Sequence, residues 1–129
     1  MDDFTRRRVL VIDDDPDVRN TMRWILEAAG FVVTLAGNGR EGLSLQRRQP
    51  ADIVVTDIFM PEQDGMETIW QLREEFPDVS IVVVSGGAAE GSNYSFVARE
   101  LGVRNTLRKP FDPEELIDAV RQLARTPLS

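Results

Sequence analysis

Cysteine is absent from this 129-residue chain, and so is histidine. The first absence excludes disulfide frameworks, thiolate nucleophiles and zinc–cysteine sites, and it fits a reducing compartment. The second excludes serine–histidine catalysis, the common zinc sites and any role as a phosphohistidine donor. Chemistry therefore falls to carboxylates, hydroxyls and lysine. Long apolar runs are missing as well. Val9–Ile12 and Ile81–Val84, the longest, are too short for a signal-peptide core or a membrane span, so a cytoplasmic location without membrane contact is expected. Basic charge is in deficit: 15 Lys and Arg stand against 22 Asp and Glu, a formal net charge of −7. That argues against direct nucleic-acid contact, because phosphate backbones are bound by clustered cations. The basic run Arg6-Arg7-Arg8 reads as a solvated flank of an acidic body.

What is present is ordinary globular composition, 42% hydrophobic and 29% charged, in a length that suits one domain over 1–129 with its core at about 9–123. Short β-branched runs alternate with stretches of helical period, the pattern of an α/β domain whose parallel sheet is covered on both faces. The strands are expected at Val9–Asp13, Phe31–Leu35, Ile53–Asp57, Ile81–Ser85 and Arg104–Leu107, each nearly all apolar. Asp15-Pro16 opens the first helix with an acceptor at the N-cap and proline at the first helical position, and Gly30 closes it. Its buried stripe is Val18, Met22, Ile25, Leu26 and Ala29. Asp112-Pro113 opens the fifth helix in the same way, with Leu116, Ile117, Val120 and Leu123 on one face. The helices between are expected near Asn38–Arg48, Met66–Phe76 and Tyr94–Leu101.

In a parallel α/β sheet the ligand site forms beyond the carboxyl ends of the strands. Strand one ends at Asp13-Asp14, strand three at Asp57 and strand four at Ser85, while Lys109 follows strand five. Carboxylates gathered within a few ångströms stay ionised only where a cation offsets them. Mg2+ suits that role, being a hard ion that takes oxygen ligands and coordinates phosphate, and Mn2+ is a workable substitute. Phosphoryl transfer needs an in-line nucleophile and neutralisation of the equatorial oxygens. Asp57 can attack to form an aspartyl phosphate, with the metal, Lys109 and the Ser85 hydroxyl holding the phosphoryl oxygens.

From Val9 to about Leu123 the chain resembles the receiver domain of two-component response regulators. The resemblance is carried by Val11-Ile12-Asp13-Asp14, by Asp57-Ile58-Phe59-Met60-Pro61 with Asp64-Gly65, by Ser85, and by Lys109-Pro110-Phe111. It implies a three-layer (βα)5 flavodoxin-like fold with a five-stranded parallel sheet of order 2-1-3-4-5. It also implies that Asp57 is the phosphoacceptor, that Asp13, Asp14 and Asp57 hold the metal with the Phe59 carbonyl, and that the Lys109–Pro110 bond is cis. The implied activity is a phosphorylation switch, with self-phosphorylation and self-dephosphorylation but no metabolic turnover. Its implied partners are a sensor histidine kinase or phosphotransfer protein and a downstream target or output domain. A homodimer through the fourth helix, fifth strand and fifth helix is the family's further contact.

The chain departs from the family pattern at three places. Thr106 stands where many receivers carry the aromatic readout residue, which leaves Tyr94 or Phe96 as substitutes. Gly86 and Gly87 follow Ser85 and open the rim, and Phe59 adds bulk beside the acceptor. Three other functions fit less well. Gly37-Asn38-Gly39-Arg40-Glu41-Gly42 satisfies the dinucleotide fingerprint, but it follows an edge strand and leaves the acids unexplained. A phosphatase with an aspartate nucleophile needs an acid two residues later, where Phe59 stands. A binding module without phosphorylation usually lacks the acceptor or the lysine, and both are kept here.

Overall fold

A computed structural model describes residues 7–57, 65–85, 103 and 105–125. The elements run β1 (Arg8–Ile12), α1 (Pro16–Ala28), β2 (Val32–Ala36), α2 (Gly39–Arg48), β3 (Ile53–Asp57), α3 (Gly65–Glu75), β4 (Ser80–Ser85), β5 (Asn105–Arg108) and α4 (Pro113–Arg125). All strand pairings are parallel and the order is β2-β1-β3-β4-β5, the expected 2-1-3-4-5 arrangement. The helix expected at Tyr94–Leu101 lies outside the described residues, as do Phe59, Gly86 and Gly87.

Alternation along the strands builds two cores, because successive side chains leave opposite faces of a sheet. Val9 and Val11 of β1, Ile53 and Val55 of β3, and Val82 and Val84 of β4 pack with Met22 and Leu26 of α1 and Leu116 and Val120 of α4. Leu10, Ile12, Val54, Ile81 and Val83 face the other way, onto Leu43 of α2 and Ile69 and Leu72 of α3. The central strands are mostly apolar because both faces are covered, with polar residues confined to their ends. β2 and β5 are edges and depart from the all-apolar expectation, with Val32, Thr106 and Arg108 exposed.

Local chemistry sets the helix ends as read from the sequence. The Asp15 carboxylate caps α1 by accepting from the Asp17 N–H at 2.9 Å. Gly30, in the left-handed region at φ 101°, ends it. At α4 the Glu115 carboxylate reaches back to accept from the Asp112 N–H at 2.7 Å, one arm of a capping box. Gly42 lets α2 approach β1. A Cβ at this position would collide with Ile12 Cδ1 and lie 2.9 Å from its Cγ1. The link from α2 to β3 is held by buried Gln46, whose side-chain amide donates to the Ala51 carbonyl at 3.0 Å and accepts from its N–H at 2.9 Å. Arg47 and Glu75 tie α2 to α3 through a bidentate pair at 2.8 and 2.6 Å. No helix among the described residues is long and apolar enough to cross a membrane.

Candidate functional site

Sheet register creates the acidic cluster. β1 and β3 are neighbours with Ile12 opposite Thr56, so one further residue along each strand brings Asp13 level with Asp57. Both acids continue the Val9–Val11 and Ile53–Val55 alternation and therefore leave the same face. Asp14 follows in the β1–α1 turn. Carboxylate oxygens of Asp13, Asp14 and Asp57 lie within 4.8 Å of one another. Asp13 is 0% exposed and Asp57 5%, whereas Asp14 is open to solvent.

Lys109 arrives from two strands away. β4 lies between β3 and β5 with Ser85 opposite Arg108, so the residue after Arg108 sits just past the end of β4. Its Nζ donates to Asp57 Oδ2 at 2.9 Å and to Asp13 Oδ2 at 3.1 Å. The Lys109–Pro110 peptide is cis, as the resemblance implied. One ammonium thus serves two buried carboxylates, with a third acid beside them. Burial pushes the Asp13 carboxyl above its ordinary value, opposed by the Asp15 N–H and by Lys109. For Lys109, burial works against the charged form, but its bonds to Asp57 and Asp13 outweigh that and raise its value.

Four predicted site residues, Asp13, Asp14, Asp57 and Lys109, therefore meet at the carboxyl ends of the strands. Ser85 ends β4 at the same edge, and Phe59 lies outside the described residues. The donor set of the cluster is three hard carboxylate groups, without nitrogen or sulfur. That composition, short of two positive charges even after Lys109 is counted, suits a hard divalent cation such as Mg2+ or Mn2+. The sequence reading missed Arg19, whose Nη1 donates to the Asp13 carbonyl at 2.9 Å. Its position on the first turns of α1 was the available signal, since long helical side chains lean toward the N-terminus.

The glycine-rich turn after β2 has no comparable site. Its Gly37 N–H donates to Glu41 Oε1 at 2.6 Å and its Glu41 N–H to Asn38 Oδ1 at 2.8 Å, so the turn satisfies its own donors. β2 is also the sheet edge, away from the strand-order reversal where dinucleotides bind.

Comparison with known proteins agrees with this geometry. The family model for the response regulator receiver domain matches residues 9–121. An uncharacterised 14.6 kDa protein of Leptolyngbya boryana is 38% identical over 95% of this chain and 93% of its own length. The response regulator MprA of Mycolicibacterium vanbaalenii is 39% identical over 92% of this chain and 50% of its own. The chain thus spans about half the length of that relative, and likewise of the probable C4-dicarboxylate response regulator DctR of Halalkalibacterium halodurans. Among solved structures, a response regulator receiver domain from Clostridium thermocellum superposes with a TM-score of 0.84 at 27% identity, covering 92% of this chain and 94% of that one. A CheY-like receiver from Methanospirillum hungatei, at 24% identity and a TM-score of 0.86 over 92% and 94%, shares the fold. With the sheet order, the acid cluster and these relatives in agreement, the chain belongs to the response regulator receiver domain family, whose members are phosphorylation-dependent signalling switches rather than metabolic enzymes.

Proposed function

We propose that Asp57 accepts a phosphoryl group from a phosphohistidine donor at a site where Asp13, Asp14, Asp57 and the main-chain carbonyl of Phe59 hold Mg2+, or Mn2+ in its place. The observation that carries this reading is Lys109 bonded to both Asp57 and Asp13 while Asp14 stands within 4.8 Å. The bound cation would offset the carboxylates and the incoming phosphoryl oxygens. The Asp57 carboxylate attacks phosphorus in line, the oxygen–phosphorus bond forms, and the phosphorus–nitrogen bond of the donor breaks with its electron pair returning to the imidazole. Lys109 then exchanges a carboxylate partner for a phosphoryl oxygen, and the Ser85 hydroxyl donates to another. Hydrolysis of the acyl phosphate by water resets the switch.

The donor is a sensor histidine kinase or phosphotransfer protein. Support comes from an apolar groove of about 470 Å3 that runs from Lys109 between α1 and the β5–α4 turn, lined by Val18, Met22, Ile25, Pro110 and Phe111. Its contact with Lys109 would set a docked helix beside the acceptor. The chain acts as one receiver unit, about 9–123, and relays its state through protein contacts with a downstream target or an output domain. The surface of β5, the last helix and the helix expected before β5 is the proposed contact for a homodimer. Intact-mass spectrometry after incubation with acetyl phosphate and Mg2+ tests the reading. One added phosphate is expected, absent in Asp57→Asn and after metal chelation; phosphate retained in Asp57→Asn would refute it.

A further inference from the structure

Arg19 stands behind the acidic cluster and fastens the turn that carries it. Asp13 lies one residue past β1, and each of its polar groups has a partner. Its N–H donates to the Ala36 carbonyl at 3.1 Å, Oδ1 accepts from the Asp15 N–H at 2.9 Å, and Oδ2 accepts from Lys109 at 3.1 Å. Its carbonyl accepts from Arg19 Nη1 at 2.9 Å. That carbonyl belongs to the peptide leading into Asp14, so fixing it fixes the direction in which the chain enters Asp14. Asp14 is exposed, and among the described residues its carboxylate has no hydrogen-bond donor. Backbone direction is therefore what aims it.

The β2–α2 turn leaves room for the guanidinium. A Cβ at Gly37 would sit 3.1 Å from Arg19 Nη1 and 3.5 Å from Glu41 Oε1. Gly37 is in turn held by its N–H bond to Glu41. Arg19 thus occupies a fitted place between the turn bearing two of the acids and the turn beside it.

We infer that Arg19 is a positioning residue for the divalent cation, holding the Asp13–Asp14 peptide so that both carboxylates face the ion. This rests on reading Asp13, Asp14 and Asp57 as the metal site. Geometry and charge make opposite demands on the test. A guanidinium near a dication is repulsive, so deleting it would tighten binding if charge were its whole effect. Deleting a group that orients metal ligands weakens binding, typically by 10-fold or more.

Isothermal titration of Mg2+ into the full chain separates these outcomes, with thermal melts in EDTA as the folding control. Arg19→Ala is expected to bind Mg2+ roughly tenfold more weakly while melting within about 3 °C of the parent. Arg19→Lys, which keeps the charge and one donor of similar reach, is expected to recover most of the affinity. Gly37→Ala keeps the guanidinium but crowds Nη1, and should weaken binding several-fold. Equal or tighter binding in Arg19→Ala overturns the inference. If that variant does not fold, unchanged affinity in Gly37→Ala overturns it instead. A parent chain that takes up no Mg2+ overturns the metal site and this inference together, an outcome distinct from either.

Discussion

Replacing Asp13 by Asn should make the metal-free protein more stable, although Asp13 is fully buried and every polar group it has is bonded. At an effective dielectric of about 20, the Asp57 carboxylate within 4.8 Å repels that of Asp13 by roughly 3–4 kcal/mol, and exposed Asp14 adds a screened share. Lys109 at 3.1 Å returns roughly 5 kcal/mol of attraction, and lost hydration counts against the charge. Repulsion and attraction nearly offset each other, so the lost hydration decides and disfavours ionised Asp13, in agreement with the upward displacement of its titration. Asn keeps an oxygen for the Asp15 N–H and leaves Lys109 paired with Asp57 alone. Thermal melts in EDTA at pH 7 should rise, with each kcal/mol gained worth about 3–5 °C in a domain of this size. Because the folded-state value lies above the unfolded one, the parent gains protons on folding in the window between them. Its stability therefore falls as pH rises through that window, and the variant's advantage should shrink as pH drops below it. Saturating Mg2+ should reverse the ranking, since ion at a hundred times its dissociation constant stabilises the parent by about 2.7 kcal/mol and the variant lacks a ligand. A variant that melts below the parent in EDTA would refute this charge balance.

Gly42→Ala, which in an open helix would gain up to about 1 kcal/mol, should instead cost about 1–3 kcal/mol because its methyl meets Ile12, and Ile12→Val should restore part of the loss; urea midpoints decide. Gln46→Met, similar in volume, strands the Ala51 N–H and carbonyl and should cost about 2–4 kcal/mol in the same assay; a loss under about 1 kcal/mol would mean that water or a shifted loop replaces the amide. Lys109 is the only lysine in the chain, so amine acetylation followed by peptide mapping reports its titration. Half-maximal labelling is expected above pH 10.5 in the parent and at lower pH in Asp57→Asn. The stability that Lys109 contributes should be present below pH 10.5 and lost as pH rises through its raised folded value.

Much of this architecture is legible in the residue pattern because the central strands, buried on both faces, must be apolar and β-branched. β3 occupies the range expected for it, β1, β2 and β5 are displaced by one residue, and β4 starts one residue early, some of these ends continuing their pairing past the formal strand. Asp13, read as the end of β1, is such a case: it lies past Ile12 yet still donates to Ala36. Asp57 and Lys109 were legible because Met60-Pro61 and Asp64-Gly65 follow an acid that ends a strand, and because the lysine stands just past the fifth strand and before a proline. Periodicity carries no signal for Arg19 on the Asp13 carbonyl or for the clamp of Gln46 on Ala51. Those contacts depend on where a side chain meets the backbone of a turn, which is fixed only once the strands are aligned. The fifth strand was expected to be nearly all apolar although three of the four residues at 104–107 are polar, and the exposure of Val32 and Thr106 follows from their place on edge strands.

The shared phase of Asp13 and Asp57 with the valines beneath them constrains how such a chain can change length. Removing one residue from β3 ahead of Thr56 would turn every later side chain to the opposite face, sending Asp57 toward the layer that holds Leu43 and Val83 and leaving Lys109 without that carboxylate. Loss of a residue pair would leave the acid on its proper side but lower it by about 7 Å, out of the lysine's reach. Insertions can therefore accumulate in the turns at the amino ends of the strands, whereas the stretch between valine core and acid is counted out residue by residue.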